Sequence, residues 1–222
     1  MRRQLITALR MTLVLTVILG LAYPLALTGF AQLTFGAKAD GSLVKVDGQV
    51  VGSRLLGQAF TGNQWFQSRP SAAGAGAAGA FVTDTDAAGQ EILGVDGQPV
   101  LVPVDADDLS GATSGASNLG PTNPELLEAV TQRATAYRET NGLPADTSAP
   151  VDAVTSSGSG VDPHISVANA RLQATRVADT NGLDVGVVLG LVDDHTEARP
   201  FGFLGEPGVN VLELNLAVVD AT

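Results

Sequence analysis

From Met11 to Phe35 the chain carries no charged side chain, while Arg2, Arg3 and Arg10 precede this stretch and Lys38 follows it. Wound as a helix, these 25 residues reach roughly 37 Å at about 1.5 Å each, more than a bilayer's hydrocarbon core of about 30 Å. The segment can span a membrane. Three arginines before it and one lysine after it predict, by the positive-inside rule, a cytoplasmic N-terminus over residues 1–10, a transmembrane helix over 11–35 and an extracytoplasmic domain over 36–222.

The competing reading is a cleaved signal peptide, because Ala37-Lys38-Ala39 has the small-x-small form of a cleavage site. A signal's apolar region is usually about 7–15 residues, shorter than this one, so a single-pass anchor in the cell membrane is the reading adopted. Within the anchor Thr12, Thr16 and Gly20 recur every four residues and share one helix face, a pattern that lets another helix approach closely. Pro24 removes one backbone hydrogen bond and predicts a kink.

All 23 acidic residues lie beyond the anchor, against nine of the 12 basic ones, which leaves the outer part at −14. A surface so acidic excludes nucleic acid as a partner. The chain has no cysteine, so neither disulfides nor thiolate metal sites contribute, and stability rests on packing. With 26 Gly, 11 Pro and 5% aromatic residues, the outer part reads as one modest, loop-rich domain.

Gly41 to Gly52 predicts a hairpin turning at Asp47-Gly48, followed by an apolar patch at Leu55, Leu56, Phe60, Trp65 and Phe66. Residues 72–108 are rich in Ala, Gly and Asp without an apolar period and predict a mobile insertion, with a short hairpin around Asp96-Gly97. Asn123-Pro124-Glu125 gives three agreeing helix-start signals, and Asn141-Gly142 stops that helix. Ser156 to Pro163 predicts a tight loop, Ser166 caps a second helix ending at Asn181-Gly182, and Asp184 to Asp194 predicts a third. In Val211 to Val218 the alternation of Leu212, Leu214, Leu216 and Val218 with polar or small residues predicts a strand. Few strands and about three helices give the fold class: one transmembrane helix followed by a small extracytoplasmic α+β domain.

Chemistry-bearing motifs are scarce. No lysine follows a phosphate-cradling glycine loop, and neither Gly111 to Gly115 nor Ser157 to Gly160 spaces as a nucleophile elbow. Only His164 and His195 are present, too few for a multi-histidine metal site. His164 is expected to bind loop carbonyls with a ring nitrogen, and Asp193-Asp194 to be a solvated helix end. No catalytic residue, metal site or tightly bound cofactor is predicted.

One family carries most of these features in order. The motifs are Tyr23-Pro24-Leu25, Gly41-Ser42-Leu43, Val51-Gly52-Ser53 with Leu56-Gly57-Gln58, and Arg69-Pro70-Ser71. They continue through Ser117 to Pro124, Ser157 to Ser166, Gln173 with Arg176-Val177-Ala178, Leu204 to Pro207, and Val209 to Asn215. The chain resembles the C subunit of the Kdp-type potassium-transporting ATPase over nearly its whole length. The motif positions are Asn118, Asn123, Ser159, Asp162, His164, Asn210 and Asn215. Two departures stand out: the long acidic stretch from Ala72 to Asp108, and Ala116, where the family usually has a glycine that a positive φ would require.

The resemblance implies a non-catalytic accessory subunit of a high-affinity, ATP-driven potassium uptake complex. Its partners would be a channel-like potassium-translocating subunit and a P-type ATPase subunit, whose ATP affinity it raises as a catalytic chaperone. ATP would be bound only through that partner. Gln173 and Arg176 are the nucleotide-linked candidates; the competing reading has Gln173 capping backbone groups and Arg176 in a surface ion pair. A different class of function is a free-standing anchored binding or sensing domain. A secreted hydrolase would require cleavage after about Ala39.

Overall fold

The structure, a computed structural model, describes residues 1–46, 48–73, 82–83, 101–102 and 114–222. It divides into two units, Met1–Leu43 and Val44–Thr222. The first is one long helix, α1 (Arg2–Ala39), apolar enough to cross a membrane. Pro24 offers no N–H to the carbonyl of Gly20. At the place of the expected kink, the turn before Pro24 widens: Ile18–Ala22 is π-helical, and the Tyr23 N–H reaches back five residues to Ile18 O. Backbone angles depart from the helical range only later, at Phe35 (φ −137°, ψ 38°).

β1 (Leu43–Val46) begins at the boundary between the units and pairs with β2 (Gln49–Ser53), as expected over Gly41 to Gly52, while Asp47 of the expected turn lies outside the described residues. Within the predicted insertion, β3 (Val82–Thr83) pairs antiparallel with β4 (Leu101–Val102). The hairpin expected at Asp96-Gly97 lies outside the described residues. Then come α2 (Pro124–Thr140) and the single turn α3 (Val151–Val154). β5 (His164–Ser166), α4 (Val167–Asn181), α5 (Val185–Asp194), β6 (Thr196–Glu197), β7 (Gly208–Asn210) and α6 (Val211–Ala221) complete the domain. β7 is the middle strand of a three-stranded sheet, antiparallel to β5 on one side and to β6 on the other.

The helix boundaries follow from capping. Asn123, Ser166, Asp184 and Asn210 each accept a hydrogen bond from a first-turn N–H, which satisfies donors the helix cannot. Gly182 ends α4 with φ +68°, a conformation glycine takes without steric cost. Ala116 does not take a positive φ, so the departure from glycine there is harmless; two residues on, Asn118 does, at +54°.

Ala170, Ala174 and Ala178 place small side chains along α4, so α5 and α6 close onto the same core. Val188 and Val192 enter from α5, Leu212, Leu214 and Val218 from α6, Ile165 and Val209 from the sheet, and Phe60, Trp65 and Phe66 from the loop after β2.

The expected strand over Val211 to Val218 is a helix. Its buried residues, Val211, Leu212, Leu214, Asn215 and Val218, recur at helical spacing. The side chain of Asn210 accepts from the Glu213 N–H, an N-cap at the position that starts a helix. The alternation of leucines is a by-product of a broad apolar face, and the cap decides between the two periods.

Candidate functional site

Residues 63–67, between β2 and the insertion, belong to no strand. Their backbone groups are taken up by side chains from more than a hundred positions downstream. Asn181 Nδ2 donates to Gln64 O (2.9 Å), and Arg176 Nη1 donates to Trp65 O (2.9 Å) and to Asn63 O. Asn215 Oδ1 accepts from the Phe66 N–H (2.8 Å) while its Nδ2 donates to Phe66 O (3.0 Å). Gln173 repeats the pattern at Gln67, accepting from N–H (2.7 Å) and donating to O (3.1 Å). Carboxamides thus play the part of a neighbouring strand for a segment that has none.

Behind this strap lies a buried polar stripe, with Asn169, Gln173 and Arg176 on one face of α4. Asn169 Oδ1 accepts from Gln173 Nε2 and from the Tyr137 hydroxyl, both at 2.9 Å, and Asn169 Nδ2 donates to Asp152 (3.0 Å). Arg176 Nε donates to Asn141 Oδ1 (2.9 Å) and Nη2 to Gln173 Oε1 (2.8 Å). Burial lowers the guanidinium of Arg176 to about 10, opposed by Tyr137. Burial also raises the Tyr137 hydroxyl well above its ordinary value; Asp152 adds to this and Arg176 opposes it. At neutral pH the phenol therefore remains a donor and the guanidinium remains charged.

Arg176 is not in the surface ion pair expected of it: it is 7% exposed and its recorded partners are carbonyl oxygens. Gln173, 1% exposed, does cap backbone groups, those of Gln67. His164 also differs from expectation, its ring lying between carboxylates, with Nε2 3.5 Å from Glu197 and Nδ1 3.9 Å from Asp162. Asp193, at the end of α5, is exposed and pairs with Arg171 at 2.7 Å.

The Ser157 to Pro163 loop is fastened from several sides. Asp162 pairs with Arg69 (2.9 Å) and accepts from the His164 N–H, and Ser159 O accepts from the Gly115 N–H (2.8 Å). Ser159 Oγ accepts from the Val161 N–H. A cavity of about 120 Å³ opens beside Gly57, Gln58, Ser68, Arg69, Gly160 and Asp162. It is smaller than ordinary ligand pockets of about 300–1,000 Å³ and has no room for a nucleotide. Two buried polar atoms on its lining residues, Gln58 Oε1 and Arg69 Nε, have no partner among the described residues. Among those residues no group of three or more His, Asp or Glu converges as metal ligands.

Of the other motif positions, Asn123 and Asn210 are helix caps, Asn210 also donates to Arg54 O (2.9 Å), and Asn118 donates to Ala116 O. In α1, a Cβ built on Gly20 comes 3.9 Å from the Thr16 methyl group and meets nothing nearer, so the two residues do share a face, and that face is open. Asn169, Tyr137 and Asp152 are not among the candidates singled out from the sequence, and Asn141 is expected only as the end of α2. A signal for Asn169 lies in the sequence: with Gln173 and Arg176 it makes a polar stripe at helical spacing, next to the small residues Ala170, Ala174 and Ala178.

A family model described as KdpC, K+-transporting ATPase, c chain, matches residues 5–220. The chain belongs to the KdpC family. It is 51% identical over 218 residues to the potassium-transporting ATPase KdpC subunit of Mycobacterium tuberculosis H37Rv, covering 98% of both chains. The corresponding subunit of Kineococcus radiotolerans is 47% identical over 219 residues, with 99% of this chain and 94% of the relative covered. That of Koribacter versatilis is 44% identical over 217 residues, covering 97% and 94%. These matches run through α1, the strap, the 157–163 loop and α6 alike.

Proposed function

We propose that this KdpC-family chain is a non-catalytic accessory subunit of an ATP-driven potassium uptake complex. It sits in the cell membrane through α1, with its N-terminus cytoplasmic and its domain outside. It stabilises assembly of a channel-like subunit with a P-type ATPase subunit and raises the ATP affinity of the latter. The observation that carries this reading is a family match over both the anchor and the whole outer domain. The charge asymmetry of Arg2, Arg3 and Arg10 against Lys38 supports the orientation. Inward-turned motif side chains support a scaffold role, since Asn215, Gln173 and Arg176 hold the protein's own backbone.

The pump expressed with and without this chain tests the reading by yield of intact complex and potassium-stimulated ATP hydrolysis across ATP concentrations. Without the chain, less complex and a higher half-saturating ATP concentration are expected. Unchanged assembly and activity, with the chain purifying alone, would instead establish a free-standing anchored domain.

Gly20→Leu in α1 is expected to leave membrane insertion intact and to reduce co-purification of the pump several-fold. Leucine favours insertion, and its Cβ has room 3.9 Å from the Thr16 methyl group, but the longer side chain forces a neighbouring helix away. Membrane fractionation and affinity purification from mild detergent measure the two effects. Equal co-purification of mutant and parent would remove the packing role of the Thr12, Thr16 and Gly20 face.

A further inference from the structure

The connection between β6 and β7, from Ala198 to Pro207, carries the largest apolar exposure described in the domain. Phe201 is 87% exposed, Phe203 71% and Leu204 46%. Aromatic side chains are scarce here, and of the four phenylalanines described in the domain, Phe60 and Phe66 build the core while the other two sit on this loop. Burying two such rings would repay any partner with a matching surface.

The loop is also pinned. The strands at its base pair Thr196 with Val209 and Glu197 with Gly208, and Arg199 is joined to Glu206 across its neck. Inside it the Gly202 N–H donates to Arg199 O (2.9 Å) and the Leu204 N–H to Pro200 O (3.1 Å). Phe201, Gly202 and Gly205 all have positive φ, at +55°, +80° and +68°. For a phenylalanine that conformation is strained; strain of this kind persists where the surroundings fix it, and it clusters at functional sites.

We propose that this loop is a docking element, and that Phe201 and Phe203 insert into an apolar, basic-rimmed pocket on another protein subunit of the transport complex. The inference rests on the accessory-subunit reading above. Two observations favour a protein over a lipid surface. A fluid bilayer rewards buried area but gains nothing from a strained, pinned loop, whereas a pocket of fixed shape does. The charge also opposes lipid: Asp193, Asp194, Glu197 and Glu206 flank the loop, and although Arg171, Arg54 and Arg199 stand beside Asp193, Glu197 and Glu206, the domain as a whole is at −14, which anionic headgroups repel and a basic rim attracts.

The test uses the full chain co-expressed with the pump, with Phe203→p-benzoylphenylalanine as a photo-crosslinker that keeps the phenyl ring and extends it by a benzoyl group. Irradiation is expected to yield an adduct with one pump subunit. A second variant, Phe201→Gly with Phe203→Ser, removes both rings and relieves the positive φ. It is expected to keep the chain's own thermal transition while lowering co-purified pump at least tenfold in mild detergent, where no bilayer is present. Adducts only with lipid, adducts only with a second copy of this chain, no adduct, or unchanged co-purification of the ring-less variant would each overturn the docking assignment. If the parent chain fails to co-purify with the pump, the accessory-subunit reading itself fails; if it co-purifies without an adduct, only the loop's role is lost.

Discussion

Arg176→Ala in the full chain should destabilise the Val44–Thr222 domain by about 3 kcal/mol, and Gln173→Ala by about 2 kcal/mol, without either change removing an ATP site. Arg176 donates to Asn63 O, Trp65 O, Asn141 and Gln173, so its truncation strands several acceptors that water reaches poorly. Each buried group left unpaired costs about 1–3 kcal/mol. The total is held below the simple sum because the charge is itself costly to bury, as its lowered pKa records. Gln173→Ala orphans the N–H and C=O of Gln67 but leaves Asn169 joined to Tyr137 and Asp152. Thermal unfolding of the purified chain in mild detergent, with equilibrium dialysis against ATP, separates a structural role from a nucleotide-binding one. Unchanged stability together with saturable ATP binding lost in the variants would reverse the assignment.

How far the sequence announces this fold depends on the range of the interaction. The helix starts at Asn123, Ser166 and Asp184 and the stop at Gly182 rest on contacts within about four residues, and local chemistry suffices to read them. α6 is misread for the opposite reason: a broad apolar face contains every alternate leucine as well as the helical set, so two periods fit until the Asn210 cap is weighed. β5 and β7 are three residues each and β6 two, too short for any periodicity. The strap is illegible in a single sequence. Nothing local in Asn63 to Gln67 says that its carbonyls will meet Arg176, Asn181 and Asn215. The family motifs point to the right residues, but the expected surface ion pair for Arg176 treats a charged side chain by its usual fate, and here four backbone and carboxamide partners make burial tolerable.

Gly57→Ala should cost at least 3 kcal/mol, although it adds one methyl group to a residue whose φ lies outside the positive region. A Cβ there would stand 2.3 Å from Asp162 O, 2.8 Å from its carbonyl carbon and 3.1 Å from that of Val161, all backbone atoms with no rotamer to turn away. The 157–163 loop must therefore move by about 1 Å to restore an ordinary contact. It is not free to do so. The Gly57 N–H donates to Val161 O (2.8 Å), the Ser157 N–H to Pro70 O (3.2 Å) and the Gly115 N–H to Ser159 O (2.8 Å), while Asp162 holds Arg69. Further along, Pro163 O accepts from the Val211 N–H (2.9 Å), so a displaced loop also pulls on the first turn of α6 and on the core beneath it. Gly158→Ala is the control within the same loop, since nothing lies within 4 Å of its added Cβ and its φ is not positive; its effect should stay within about 0.5 kcal/mol. At about 2–4 °C per kcal/mol for a domain of this size, the two variants should differ in Tm by about 6–12 °C. Equal melting of Gly57→Ala and the parent would show that the loop yields, and that its several fastenings do not act together.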